Sequence, residues 1–168
     1  MSIKKTFLII IFSFIFSSAN AEEDLKSLGK YKDWQSFVLL KEGVKTCFAQ
    51  SIPVVKAPKK LKRDPSRLFV SFRPDENIKN EISVTNGYEF KLKAPVAAKS
   101  GKKSFDLFSK GRFAWVVDDE DEKKLISAMK KASRLMIIGN SEKGTQTTDH
   151  YSMMGFKKAY NSAKKNCS

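Results

Sequence analysis

The sequence predicts a mainly β fold, a sandwich or barrel of short strands, with two helices packed on it at about residues 119–132 and 153–166. Three observations carry this. Apolar residues recur with period two in short runs. Turn-forming residues separate those runs at intervals of about eight to twelve, as in β-sandwiches. Only two stretches change to the helical period.

The first residues belong to neither pattern. Lys4 and Lys5 precede an apolar run from Phe7 to Phe16, broken only by Ser13, and Ala19-Asn20-Ala21 supplies small residues at its end. This is the order of a secretory signal peptide, expected at 1–21 with cleavage before Glu22. The run falls short of the roughly 18 to 20 apolar residues that span a bilayer, and no later run is long enough. Residues 22–33 are polar and are expected to form a flexible N-terminal arm. Residues 34–168 suit a single domain, commonly about 100 to 150 residues.

Within that domain, "WQSFVLL" (34–40) and "KTCFAQS" (45–51) read as strands joined at Glu42-Gly43. Residues 53–66, with three prolines and five basic side chains, read as a solvated, mobile loop. "RLFVSFR" (67–73) and "EISVTN" (81–86) follow as strands. Asn86-Gly87 is a two-residue hairpin signal with "YEFKLK" returning from Tyr88. A second hairpin joins 103–109 to 112–117 through Lys110-Gly111. The segment 118–132 starts with five acids and gains lysines toward its end, complementing a helix dipole. Its Leu125, Ile126, Met129 and Ala132 share one face. The acids lack the alternation and central glycine of a calcium loop. A strand at 134–140, a turn at 141–143 and the threonine-rich "GTQTTDHY" precede the last helix.

The formal net charge of +14 falls to +12 without Lys4 and Lys5, and 27 of the 32 basic residues are lysine. Arginine is the residue that forks onto phosphate, so a lysine excess fits diffuse attraction to anionic surfaces. The basic loop Lys56, Lys59, Lys60, Lys62 and Arg63 lies near aromatics, but no RRM, KH or zinc-finger signature accompanies it, and specific nucleic-acid binding is not expected.

Cys47 and Cys167 are the only cysteines. An even count in an exported protein points to a disulfide, and two thiols with one histidine lack the spacing of a four-ligand metal site. On a helical wheel, Cys167 shares the apolar arc of Phe156, Ala159, Tyr160 and Ala163, opposite Lys157, Asn161, Lys164 and Lys165. The last helix therefore turns its cysteine toward the body, where Cys47 sits on a strand.

Catalytic signals are weak. Residues 139–145 approach a phosphate loop, but Thr145 occupies the position of the lysine that contacts phosphate. They also approach a nucleophile elbow, with one residue too many and a strand following instead of a helix. His150, the one histidine, has Asp149, Ser152 and Glu142 nearby in sequence. Adjacent strand residues point to opposite faces, so adjacency is not triad geometry. No catalytic residue, metal ligand or cofactor is assigned.

These residues together resemble the invasion-associated locus B family of exported bacterial proteins. The resemblance rests on Trp34, "TCFAQSIP" (46–53), Arg67, "NEISVTNGYEFK" (80–91) and Ala114-Trp115, and is strongest from 139 to 160. There Gly139, Ser141, Gly144, Thr145, Asp149, Tyr151, Ser152, Gly155 and Phe156 match the signature G-x-S-x-x-G-T…T-x-D-x-Y-S-x-x-G-F. Many members carry a further cysteine after the tryptophan; this chain does not. The resemblance implies an immunoglobulin-like β-sandwich in the periplasm or envelope, associated with bacterial entry into host cells. The expected function is that of a non-enzymatic binding module for an envelope or host-surface partner. The alternatives are a periplasmic hydrolase using His150 and a basic protein that binds anionic polymers.

Overall fold

The computed structural model describes residues 23–168, so the signal peptide expected at 1–21 lies outside the described residues. Eleven strands among the described residues are β1 (Glu23–Tyr31), β2 (Trp34–Lys41), β3 (Val44–Ser51), β4 (Val55–Ala57), β5 (Arg67–Arg73), β6 (Ile78–Thr85), β7 (Val96–Ser100), β8 (Lys103–Lys110), β9 (Phe113–Trp115), β10 (Arg134–Asn140) and β11 (Gln146–Ser152). Two α-helices accompany them, α1 (Asp119–Lys131) and α2 (Phe156–Asn166). Every ladder is antiparallel, in the order β1-β2-β3-β5-β6-β9-β8-β7-β10-β11-β4.

The fold is mainly β with two helices. Its two layers are joined through β8, which pairs with β7 along Lys103–Leu107 and with β9 along Phe108–Lys110. The order β6-β9-β8-β7 is a Greek key. One cluster fills the interior: Trp34, Cys47, Leu68, Val70, Ile82 and Val84 from one layer, and Val96, Leu135, Ile137 and Tyr151 from the other. These positions are the period-two sets that the sequence displays.

The first helix starts where its sequence places it. Asp118 caps α1 by accepting from the amides of Glu120 and Asp121 at 2.9 and 2.8 Å. Leu125, Ile126 and Met129 are buried beneath it. The Glu122 carboxylate accepts from the Ile82 amide at 2.9 Å and ties α1 to β6. The second helix begins at Phe156, three residues later than expected, because Met153 to Gly155 form a turn closed by the Phe156 amide on the Met153 carbonyl. Gly155 has φ of 92°, a left-handed conformation suited to glycine. A Cβ on it would lie 1.7 Å from the Tyr31 carbonyl oxygen.

Three expectations need correction, and one strand was not anticipated. The arm expected at 22–33 is the edge strand β1, paired along β2 with a register shift between Ser27 and Gly29. An edge strand wetted on several sides carries no apolar stripe, and lysine there discourages pairing with other chains; composition alone therefore reads it as a tail. The loop at 53–66 contains β4, whose Lys56 pairs with Asp149. Asn86-Gly87 makes no hairpin. Gly87 instead lies against the Asp64 backbone, where a Cβ would come within 1.9 Å of the carbonyl oxygen. Residues 88–91 then cross between layers, with the Phe90 and Lys91 amides donating to Gly111 and Asn140 carbonyls, each at 2.9 Å. Finally, β7 forms from "VAAKS", whose alanines give little β signal.

Candidate functional site

The stretch from Gly139 to Phe156 unites β10, β11 and the start of α2, and most of its signature side chains are committed to holding the fold. Ser141 closes the β10–β11 turn. Its amide donates to the Thr145 carbonyl at 2.9 Å, and its hydroxyl accepts from the Thr145 amide at 3.1 Å. The Gly144 amide donates to the Ser141 carbonyl. Gly139 leaves room for the Phe90 ring, which a Cβ would approach to 2.8 Å. The Ser152 carbonyl accepts from the fully buried Trp34 indole at 2.8 Å. Phe156 packs on Trp34 with ring centroids 4.7 Å apart.

Asp149 is sealed inside. Its carboxylate is fully buried and forms a forked pair with Arg63, whose side chain is 3% exposed. Arg63 also donates to the Ser66 hydroxyl at 2.7 Å and the Asn86 carbonyl at 2.6 Å. Burial opposes the charge on Arg63, but Asp149 outweighs it and holds the guanidinium above its ordinary range. The loop expected to be solvated and mobile thus delivers one of its basic residues into the interior, while Lys56, Lys59, Lys60 and Lys62 stay exposed. Beside the pair, Tyr88, Asn86 and Thr147 bond to one another, with Tyr88 and Thr147 hydroxyl oxygens 2.7 Å apart. Burial, followed by the nearby Asp149, pushes the Tyr151 phenol well above its usual range, so it stays protonated at neutral pH.

Cys47 and Cys167 are joined as a disulfide. It fastens α2 to β3 across a sequence separation of 120. Ser36 to Ser162 at 3.0 Å and Tyr160 to Asn80 at 2.6 Å tie the same helix to β2 and β6.

His150 points away from this interior. As strand alternation requires, it faces opposite to Asp149. It borders a groove of about 690 Å³ between the β7–β8 hairpin, the end of α1 and β10. The charged side chains lining that groove are Lys99, Lys102, Lys103, Lys131 and Arg134, with no carboxylate among the lining residues. Glu142 is exposed in the β10–β11 turn, within the lining of a different pocket. The carboxylates weighed as partners of His150 therefore do not converge on it. Among the described residues, no group of three or more His, Cys, Asp or Glu side chains is placed to hold a metal, and no helix is long and apolar enough to cross a membrane. Sequence reasoning missed the groove because its cations come from two stretches, 99–103 and 131–134, whose approach depends on the fold. Only the lysine excess hinted at it.

The fold and site define a class: a mainly β, antiparallel protein whose terminal helix is clasped by a disulfide and which carries a cationic groove beside His150. A solved structure with a similar fold is the crystal structure of invasion associated protein B from Bartonella henselae. The likeness covers 81% of this chain and 94% of that one, with a TM-score of 0.58 and 15% sequence identity. At that identity the fold is what is shared. No protein-family model matches the chain, and no curated protein matches it by sequence.

Proposed function

We propose that this chain is an exported, non-enzymatic interaction module of the cell envelope that engages an anionic partner through the groove beside His150. The observation carrying this reading is the lining: five cations and a histidine with no carboxylate. Among the described residues none of those cations is held in a salt bridge. Their charge is left for something outside the chain. The disulfide supports placement in an oxidising compartment, and a fold like that of an invasion-associated protein is consistent with contact at a cell surface. Hydrolysis at His150 has less support, since its nearest carboxylate in sequence is bound to Arg63.

The test is retention of the purified protein on immobilised heparin across a salt gradient from about 50 to about 500 mM, over which charge screening shortens from roughly 14 to roughly 4 Å. Retention should fall steeply with salt and drop in Lys102→Glu/Arg134→Glu. Absence of retention at low salt, or retention indifferent to salt, would remove the proposal.

A further inference from the structure

A second basic groove lies on the other side of the C-terminal turn of α1. It measures about 710 Å³ and is bordered by Lys30, Lys32, Lys130, Lys157 and Lys158, with Met154 at its rim. No carboxylate lines it either. The two grooves adjoin: the Met153 amide, from the second lining, donates to the Ser133 carbonyl, from the first, at 3.0 Å. Lys130 and Lys131, successive residues of α1, face one groove each.

Helix-end lysines have an ordinary purpose, since they offset the negative end of the helix dipole. That purpose accounts for Lys130 and Lys131, but not for the eight further cations from β1 and its turn, β7, β8, β10 and α2. Burial lowers Lys130 from the usual lysine range, and repulsion adds to it, from Lys164 and then from Lys157 of the same groove. The acids that balance charge on α1 sit at its opposite end, Asp119 to Glu122. The molecule is thus polarised along this helix.

Resting on the reading that the first groove binds an anion, we infer that the two grooves form one track for a linear acidic polysaccharide that crosses the C-terminal turn of α1. Three features select that class. Nine of the ten lysines and arginines are lysine, a hydrated point charge without the fork geometry that reads one phosphate or carboxylate. The surface is two concave grooves separated by a helix end, which suits a chain better than a flat bilayer. Ser100 and Ser133 in the first groove offer hydroxyls for sugar oxygens, whereas the second offers one aromatic ring, Tyr31, where single-stranded nucleic acid needs a series of stacking platforms.

A ligand that fills both grooves gains by effective concentration, a ligand that fills one does not. Titration calorimetry with heparin fragments of four and of sixteen sugars is the probe. The long fragment is expected to bind at least about tenfold tighter per protein site than the short one. Lys102→Glu/Lys103→Glu and Lys157→Glu/Lys158→Glu alter exposed side chains, one pair in each groove, and each should reduce the long fragment to the affinity of the short one. Length-independent affinity with sensitivity to only the Lys102/Lys103 pair would overturn the track while leaving the single-groove reading intact, whereas sensitivity to only the Lys157/Lys158 pair would overturn both. No binding of either fragment would end both. Phosphatidylglycerol vesicles and single-stranded DNA serve as competing arms, and tighter binding to either would overturn the assignment to polysaccharide.

Discussion

Replacing Asp149 by Asn tests whether this signature residue is a fastener. The substitution keeps the shape and removes the charge. Arg63, 3% exposed, keeps its bonds to Ser66 and Asn86 but loses its counter-ion. Breaking a buried ion pair from one side costs about 3 to 5 kcal/mol, against a total stability of roughly 5 to 15 kcal/mol for a domain. With a urea dependence of about 2 kcal/mol per molar, the midpoint should fall by on the order of 2 M. Tryptophan fluorescence follows the transition, since Trp34 is fully buried against Phe156. The companion is Arg63→Met/Asp149→Leu, which leaves no buried charge behind and should recover most of the loss. A cost below about 1 kcal/mol for Asp149→Asn, or a double variant no better than the single, would refute the structural role.

Three further outcomes follow from the same contacts. Replacing both Cys47 and Cys167 by Ser opens a loop of 120 residues, and loop-closure entropy sets the loss at about 5 kcal/mol or less, measurable as a lowered melting temperature equal to that of the reduced wild type. Gly155→Ala places a Cβ against the Tyr31 carbonyl at a φ of 92°; strain plus clash should cost about 3 kcal/mol or more and lower the melting temperature. Burial raises the Glu122 carboxyl to about 6 from 4.5, with Asp119 and Glu81 adding to it against the Ile82 amide. The folded state then holds its proton more tightly than the unfolded one, so this group makes stability decline as pH rises from about 4.5 to about 6. Because Glu122 is half exposed, solvent screening limits the effect to less than about 1 kcal/mol. Glu122→Gln should flatten that segment of the denaturation-midpoint profile against pH.

The parts of the fold written in local periodicity were legible. Strands β2, β3, β5 and β10 fall where the apolar alternation puts them, and the α2 wheel turned Cys167 inward. What was hidden depends on partners distant in sequence. The strand β1 is polar because β2 supplies its ladder, and β4 is three residues held by β11. Gly87 is fixed by Asp64 and not by its own turn. The site shows the same division. Asp149 stands out in the sequence, but its role became clear only with Arg63, 86 positions earlier, in a loop whose composition suggests solvent. The cationic grooves left still less trace, since charge count says nothing about where charges gather.

The Cys47–Cys167 bond has a consequence in time as well as in stability. For an exported chain that emerges amino-terminus first, Cys47 reaches the oxidising side 120 residues ahead of its partner. Throughout that interval its thiol is open to small oxidants and to other proteins. Only arrival of α2 retires it. If the chain is exported as proposed, oxidation state dates each molecule: a free Cys47 marks a chain still in transit, and a closed bond marks one whose last helix has been delivered and docked.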